Sequence, residues 1–309
     1  MARAPATGAL PPAPLERLRR RAAGLMTGGG GELTAEALWG VVFVIPYIAV
    51  FLLLVVYPVL YGLWLGSSPS TYVKLFGDPL YLRTVGNTLL LLIIGVNVKM
   101  FLALLLSGFF HQSYPWVKWL FLIFILPWAV PAIPTFISAH WMLNGQWGLV
   151  NNIIWELFRK EGPGWLTTPS LAMGSVIVFY IWKWMPFWTV IFLAGRTAIP
   201  GELYEAAGID GATGLQRFRY ITFPMMRNLY IICTVLSTIW TLGDYNTVHF
   251  ITGGGPVLST HVFATLGIRD AFEVGDPALG VAVVITALPV LVPLVIYLMH
   301  KLHREAVEL

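Results

Sequence analysis

Three charged side chains, Lys99, Lys183 and Asp244, stand inside long apolar runs. A charge at mid-bilayer costs roughly 2.5–3.5 kcal/mol on insertion scales, so each is expected to face protein or water if its run crosses a membrane. Asp244 lies in TLGDYNTVHF, beside Thr241, Tyr245, Asn246 and Thr247. An acid with an amide and hydroxyls offers both acceptors and donors, a set that suits polyhydroxylated ligands. The same aspartate could instead cap a break in its run. Lys183 stands in YIWKWMPFW, between Trp182 and Trp184, with Trp188 one turn on. Aromatic faces can stack on the C–H patch of a pyranose while the ammonium donates to a hydroxyl or phosphate. Lys183 could equally pair with Asp244 across a helix bundle or snorkel to an interface. Asn87, Asn97 and Lys99 read as packing groups of one run, with Lys99 snorkelling.

Other chemistry finds little support. The histidines are scattered over loops and run ends, with His300 and His303 in a basic tail, so no metal set emerges. No nucleophile and base stand at credible spacing. The glycines at 28–31 are not followed by Gly-Lys-Ser/Thr, so there is no phosphate-binding loop of the ATPase kind. Cys233, the single cysteine, reads as a small buried hydrophobe. Basic residues are not gathered with aromatics on a soluble surface, which argues against nucleic acid.

The elements that must position these groups are legible from composition. Of 309 residues 57% are hydrophobic and 11% charged, against about 25% charged in a soluble domain. Mean hydropathy is +0.75. Six runs, about 38–65, 88–110, 119–140, 171–195, 229–250 and 278–299, approach or exceed the ~20 residues that an α-helix needs to cross the bilayer. Pro46, Pro58, Pro127, Pro131, Pro134, Pro186 and Pro293 fall inside them and are read as bends rather than ends, because neighbouring helices can satisfy the freed carbonyls. The expected fold is an all-α polytopic membrane protein.

Arg17, Arg19, Arg20 and Arg21, then Lys118, then Arg196, Arg217, Arg219 and Arg227, then Lys301 and Arg304 occupy alternate gaps. The positive-inside rule places these gaps and both termini in the cytoplasm. Residues 1–37 are too polar for a cleavable signal peptide; 15–25 could form a basic amphipathic helix or belong to a disordered tail. The division expected is a tail over 1–37, a membrane domain over 38–305 and a short tail over 306–309. Trp141, Trp147, Trp155 and Trp165 suggest an aromatic belt at the outer face rather than a cage.

The gap between the fourth and fifth runs, 198–226, reads AIPGELYEAAGIDGATGLQRFRYITFPMM. Pro200 suits a helix start, Glu202 and Glu205 its positive end, and Gly208 and Gly211 a tight turn. Leu215, Phe218 and Ile221 predict a second short helix, with Arg217 and Arg219 on other faces and Pro224 as a break before the fifth span. The stretch Glu205-Ala206-Ala207 with Asp210-Gly211-Ala212, Phe218, Ile221-Thr222 and Pro224 resembles the EAA loop of permease subunits of bacterial binding-protein-dependent ABC importers. GELYEAAGIDGA with ITFP resembles the carbohydrate-uptake branch, and Thr252-Gly253-Gly254-Gly255-Pro256 is similar to the maltose system's larger permease type. Asn228 stands where that pattern commonly has a second proline.

The resemblance implies a six-helix importer permease fold in a bacterial inner membrane, with a cytoplasmic coupling helix seated in a groove of an ATPase subunit. Glu205, Ala206, Ala207, Gly208, Asp210, Gly211, Arg217 and Arg219 would carry that contact; Asp244, Tyr245, Asn246, Lys183, Trp182 and Trp184 would line the substrate pathway. It also implies a second homologous permease, two ATPases that bind ATP and Mg, and an extracytoplasmic solute-binding protein, with no cofactor or catalysis in this chain. Two rivals remain open. A membrane enzyme on lipid-linked substrates would need a reactive cluster, and the loop 141–169 offers only Glu156, Arg159, Lys160 and Glu161. A secondary transporter would predict inverted repeats, which the hydropathy does not show.

Overall fold

The computed structural model describes residues 35–307. The basic cluster Arg17–Arg21, the stretch 15–25, the glycines at 28–31 and the last two residues lie outside them. The chain divides into two units, 1–60 and 61–309. The first contains α1 (Ala35–Phe51), a π-turn (Leu52–Val56) and the start of α2 (Tyr57–Leu65). Val42–Leu65 has a mean hydropathy of 2.6, enough to span.

The second unit holds the core. After α3 (Pro69–Phe76), α4 (Pro79–Leu90) and α5 (Asn97–Phe110) join through a π-turn (Leu91–Val96) into one helix of 32 residues. It starts nine residues before the apolar run predicts, because Asp78 accepts from the Leu80 N–H (2.8 Å) and Pro79 fills the first turn. Its opening turns are amphipathic rather than apolar, and run length alone does not register them.

The third run departs from expectation. Its helix stops at Ala129 (α6, Pro115–Ala129) and resumes at Ala132 (α7, Ala132–Met142), with a bend of 95°. Pro131 has no N–H to donate and pushes Val130 into an extended conformation (φ −73°, ψ 142°), so here a proline ends a helix rather than bending it. A short α8 (Leu149–Phe158) precedes α9 (Pro169–Thr197), which passes through Pro186 unbroken.

Beyond α9 come α10 (Gly201–Ile209) and α11 (Gly214–Arg217), then a π-turn (Phe218–Thr222) and α12 (Phe223–Leu242). From Gly214 to Leu242 the helix is continuous over 29 residues, so Pro224 is not a break. The π-turn, closed by Phe223 N–H to Phe218 O, adds one residue just before the proline and takes up its missing donor. The fifth run breaks instead after Leu242, and α13 (Asn246–Thr252) follows. The chain closes with α14 (Phe263–Ile268), α15 (Pro277–Ile285) and α16 (Leu288–Val307), with a bend of 41° between the last two.

The core forms where α9 packs along α5, with Met100, Leu104, Val176, Trp188 and Phe192 buried between them and their neighbours. Cys233 is buried there as a free thiol. Gly267 and Gly280 let α14 and α15 meet backbone to backbone: a Cβ on Gly280 would lie 2.4 Å from the Gly267 oxygen. Polar ties sort the loops by end. Arg196 donates to Ser107 Oγ (3.3 Å) and Lys301 to Asn228 Oδ1 (3.0 Å) at one end; Lys74 pairs with Asp276 (3.1 Å) at the other.

Candidate functional site

Two places bring the singled-out residues together: the turn between the fourth and fifth spans, and a cavity within the bundle. In the turn, Pro200 is the N-cap of α10 and Asp210 its C-cap. Gly211 follows at φ +75°, a left-handed position that disfavours any Cβ. Ala212 N–H reaches Ala207 O (2.9 Å) and Gly211 N–H reaches Gly208 O (3.1 Å), the paired bonds of a Schellman motif. The next helix is opened by Thr213 and Gln216, each side chain bonded to the other's backbone N–H. That capping box is readable as Thr-x-x-Gln and was not among the features singled out from the sequence.

Two further contacts make the turn rigid. Arg217 folds back so that its Nε donates to Ala212 O (3.0 Å), and Gly208 leaves room for the guanidinium, since a Cβ there would be 3.2 Å from Nη2. Arg217 is thus engaged inside the turn rather than on an outer face, whereas Arg219 is exposed beside the Tyr220 ring. Tyr204 on α10 bonds the buried Thr222 Oγ1 (2.9 Å) at the end of the π-turn, fastening the small helix to the root of the fifth span. Nothing in the sequence pointed to that pair. Glu205, Ala206 and Asp210 remain exposed, Ala207 half-buried, and Leu203, Ile209 and Leu215 present apolar side chains alongside them.

The second place is a cavity of about 250 Å³ lined by Lys99, Tyr180, Trp184, Trp188, Ser237, Trp240, Thr241 and Asp244. A hydrogen-bonded chain runs along its wall. Thr241 Oγ1 donates to Ser237 O (2.6 Å), which leaves it to accept from the Tyr180 hydroxyl; that oxygen in turn accepts from Lys99 Nζ (2.5 Å). Three spans are tied by this one chain, and Lys99 is a buried cavity group (2% exposed) rather than a snorkelling one.

Asp244 faces the same cavity and also caps α13, accepting from Thr247 N–H (3.1 Å) and Thr247 Oγ1 (2.5 Å). Lys183 does not reach it. Its ammonium donates to Pro127 O (2.6 Å) and to Val130 O, the free carbonyls at the broken end of α6. Trp182 turns away from Asp244 into a separate apolar cavity with Leu126, Val130 and Phe179. Tyr245 stacks on His249 (4.5 Å) and Asn246 is exposed, so of the six pathway residues only Asp244 and Trp184 line this cavity.

The glycine segment after α13 is pinned from α4: Asn87 Nδ2 donates to Ser259 O (2.7 Å) and His261 O (3.0 Å). His261 lies against Gly254, where a Cβ would fall 2.2 Å from the ring, and among the described residues its Nε2 has no partner. Burial, with Arg269 adding to it, lowers its pKa to about 4.

The sequence pattern of the family described as binding-protein-dependent transport system inner membrane component matches residues 99–307. The chain belongs to that family. Among its relatives, the trehalose/maltose transport system permease protein MalF of Thermococcus litoralis is 30% identical to this permease, over 85% of the chain and 93% of the relative. The sulfoquinovosyl glycerol transport system permease protein SmoG of Agrobacterium fabrum is 33% identical over 63% of each. The fold matches a crystal structure of a bacterial importer of the acidic polysaccharide alginate, with TM-score 0.68, 22% identity, and 94% and 98% of the two chains covered. A bacterial alginate ABC transporter in complex with alginate pentasaccharide-bound periplasmic protein matches at TM-score 0.73, 23% identity, over 88% and 98% of the two chains. This permease is therefore a multi-pass inner-membrane subunit of a binding-protein-dependent importer, and such subunits are not enzymes.

Proposed function

We propose that this permease forms half of the translocation path for a sugar, polyol or related solute, and that α10 with the turn after it is the coupling element through which a separate ATPase moves it. The observation that carries the coupling assignment is the clamped turn. Tyr204–Thr222, Arg217–Ala212 and the Schellman motif leave α10 no loose joint, while Glu205 and Asp210 stay exposed for a partner. A push on α10 is delivered to the root of a helix that runs unbroken to Leu242, next to the cavity-lining Thr241. The solute class is supported by relatives whose names specify trehalose and maltose, sulfoquinovosyl glycerol or lactose, and by a cavity that joins three tryptophans to Lys99, Asp244 and hydroxyls.

The partners required are a second homologous permease, two ATPases that hold ATP and Mg, and an extracytoplasmic solute-binding protein. In this scheme ATP supplies the bias between two packings of the bundle and the chain binds no cofactor itself. The end that gathers Ser107, Arg196, Asn228 and Lys301 is the cytoplasmic one, which agrees with the alternation of Lys and Arg along the sequence. The test replaces Glu205 by Ala and Gly211 by Val separately. ATPase subunits should no longer co-purify with the variants, and ATP-dependent uptake in proteoliposomes should fall at least tenfold. Unchanged co-purification and uptake in both would remove the coupling assignment.

A further inference from the structure

A second polar cavity, of about 430 Å³, lies in the segment between the third and fourth spans, lined by Gly145, Gln146, Asn151, Asn152, Trp155, Glu161 and Gly162. Its floor is built. Asn151, 7% exposed, commits its whole carboxamide: Nδ2 donates to Gly145 O (2.9 Å) and Pro163 O (3.3 Å), and Oδ1 accepts from Trp165 Nε1 (2.7 Å). Gly162 is required by it, because a Cβ there would sit 2.1 Å from Asn151 Oδ1. One asparagine thus gathers both flanks of α8 and shapes the concavity between them.

The walls are different in kind. Among the described residues Gln146 and Glu161 carry side chains without a hydrogen-bond partner, Asn152 spends one N–H on Trp147 O (3.4 Å) and keeps its carbonyl uncommitted, and Trp155 is 47% exposed. Carboxamides supply donors and acceptors together, the carboxylate two further acceptors, and the indole a flat apolar face. Vicinal hydroxyls above a C–H face match that set. A divalent cation would find one carboxylate where hard ions use several, and an anion would meet Glu161 with no Lys or Arg in the lining.

We propose that this pocket is an outer subsite that binds a neutral sugar or polyol, separate from the cavity around Asp244. The inference rests on the carbohydrate reading above. It gives Trp155 a ligand-stacking role in place of membership of an aromatic belt.

The test uses the reconstituted importer with its partner subunits, and glucose, maltose, trehalose, lactose and sorbitol as probes. Saturation-transfer NMR reports binding, and uptake against concentration reports transport. Trp155→Ala and Glu161→Gln should each weaken the binding of a transported sugar, by about tenfold for the tryptophan, and raise the half-saturating concentration several-fold. Maximal uptake and permease yield should hold. If both variants bind and transport as wild type, the subsite is refuted while the carbohydrate reading stands. If they lose capture of the solute-binding protein with sugar signals unchanged, the pocket is a protein contact and the proposal falls. If the wild-type importer takes up none of the five, the carbohydrate reading itself fails and the subsite with it.

Discussion

Replacing Lys183 by methionine separates the two roles that a lysine among tryptophans could have. The side chain is 1% exposed, and its ammonium holds Pro127 O at 2.6 Å together with Val130 O, where α6 breaks from α7. Methionine keeps most of the volume and removes both donors. Each abandoned carbonyl costs about 1–3 kcal/mol where no water replaces the donor, and part of that returns because no ammonium has to be desolvated. A net loss of about 2–4 kcal/mol follows, or a midpoint lowered by about 3–6 °C for a chain of this size. The assay is thermal unfolding of the detergent-purified permease beside uptake kinetics normalised to folded protein. The expected result is a lowered midpoint with KM for solute within twofold of wild type. An unchanged midpoint with a KM raised tenfold would refute the capping role and return Lys183 to the solute path.

Tyr204→Phe removes only the bond to Thr222; basal ATPase activity of the assembled importer should persist while solute-stimulated activity and uptake fall several-fold, measured side by side in proteoliposomes. Gly280→Ala places a methyl 2.4 Å from the Gly267 oxygen, a backbone atom that cannot step aside, and should cost at least the 1–3 kcal/mol of ordinary overpacking, read as a lower unfolding midpoint. His261 is depressed to about 4 in the folded chain from about 6.5 unfolded, so the unfolded state binds the extra proton between these values. Its contribution is full above about pH 6.5 and is lost as pH falls toward 4. His261→Gln should flatten the midpoint across that window, while a wild-type profile in the variant would assign the pH dependence to other groups.

The spans were legible because run length and charge spacing report directly on the bilayer, and the helix–turn–helix of 200–217 because its glycines and acids sit where helix ends need them. What escaped was decided between elements. Apolarity cannot distinguish a proline that bends from one that breaks, and the difference at Pro131 lies in Lys183, more than fifty positions away, which accepts the role of cap. Lys99 and Lys183 look alike in sequence, each a lone cation in an apolar run. Only packing shows that one shares a cavity with Asp244 and the other ends a helix. Asn87 and Tyr204 carried no local signal, since their partners, Ser259 and Thr222, are defined by tertiary contact alone.

The π-turn at Phe218–Thr222 has a geometric consequence. Each residue in a helix advances the azimuth by about 100°, so the single extra residue held in that turn sets the phase of everything beyond it. Thr241 lies about 29 Å along the helix from Thr222 at 1.5 Å per residue, close to the thickness of a hydrocarbon layer. If the turn tightened to regular α-geometry without losing a residue, the far end would rotate by about 100° while advancing only about 1.5 Å. Thr241 would then leave Tyr180, and Ser237 would sweep across the wall of the cavity. The root of the fifth span is in this sense a screw thread: an axial push there would change the face that α12 turns to the cavity.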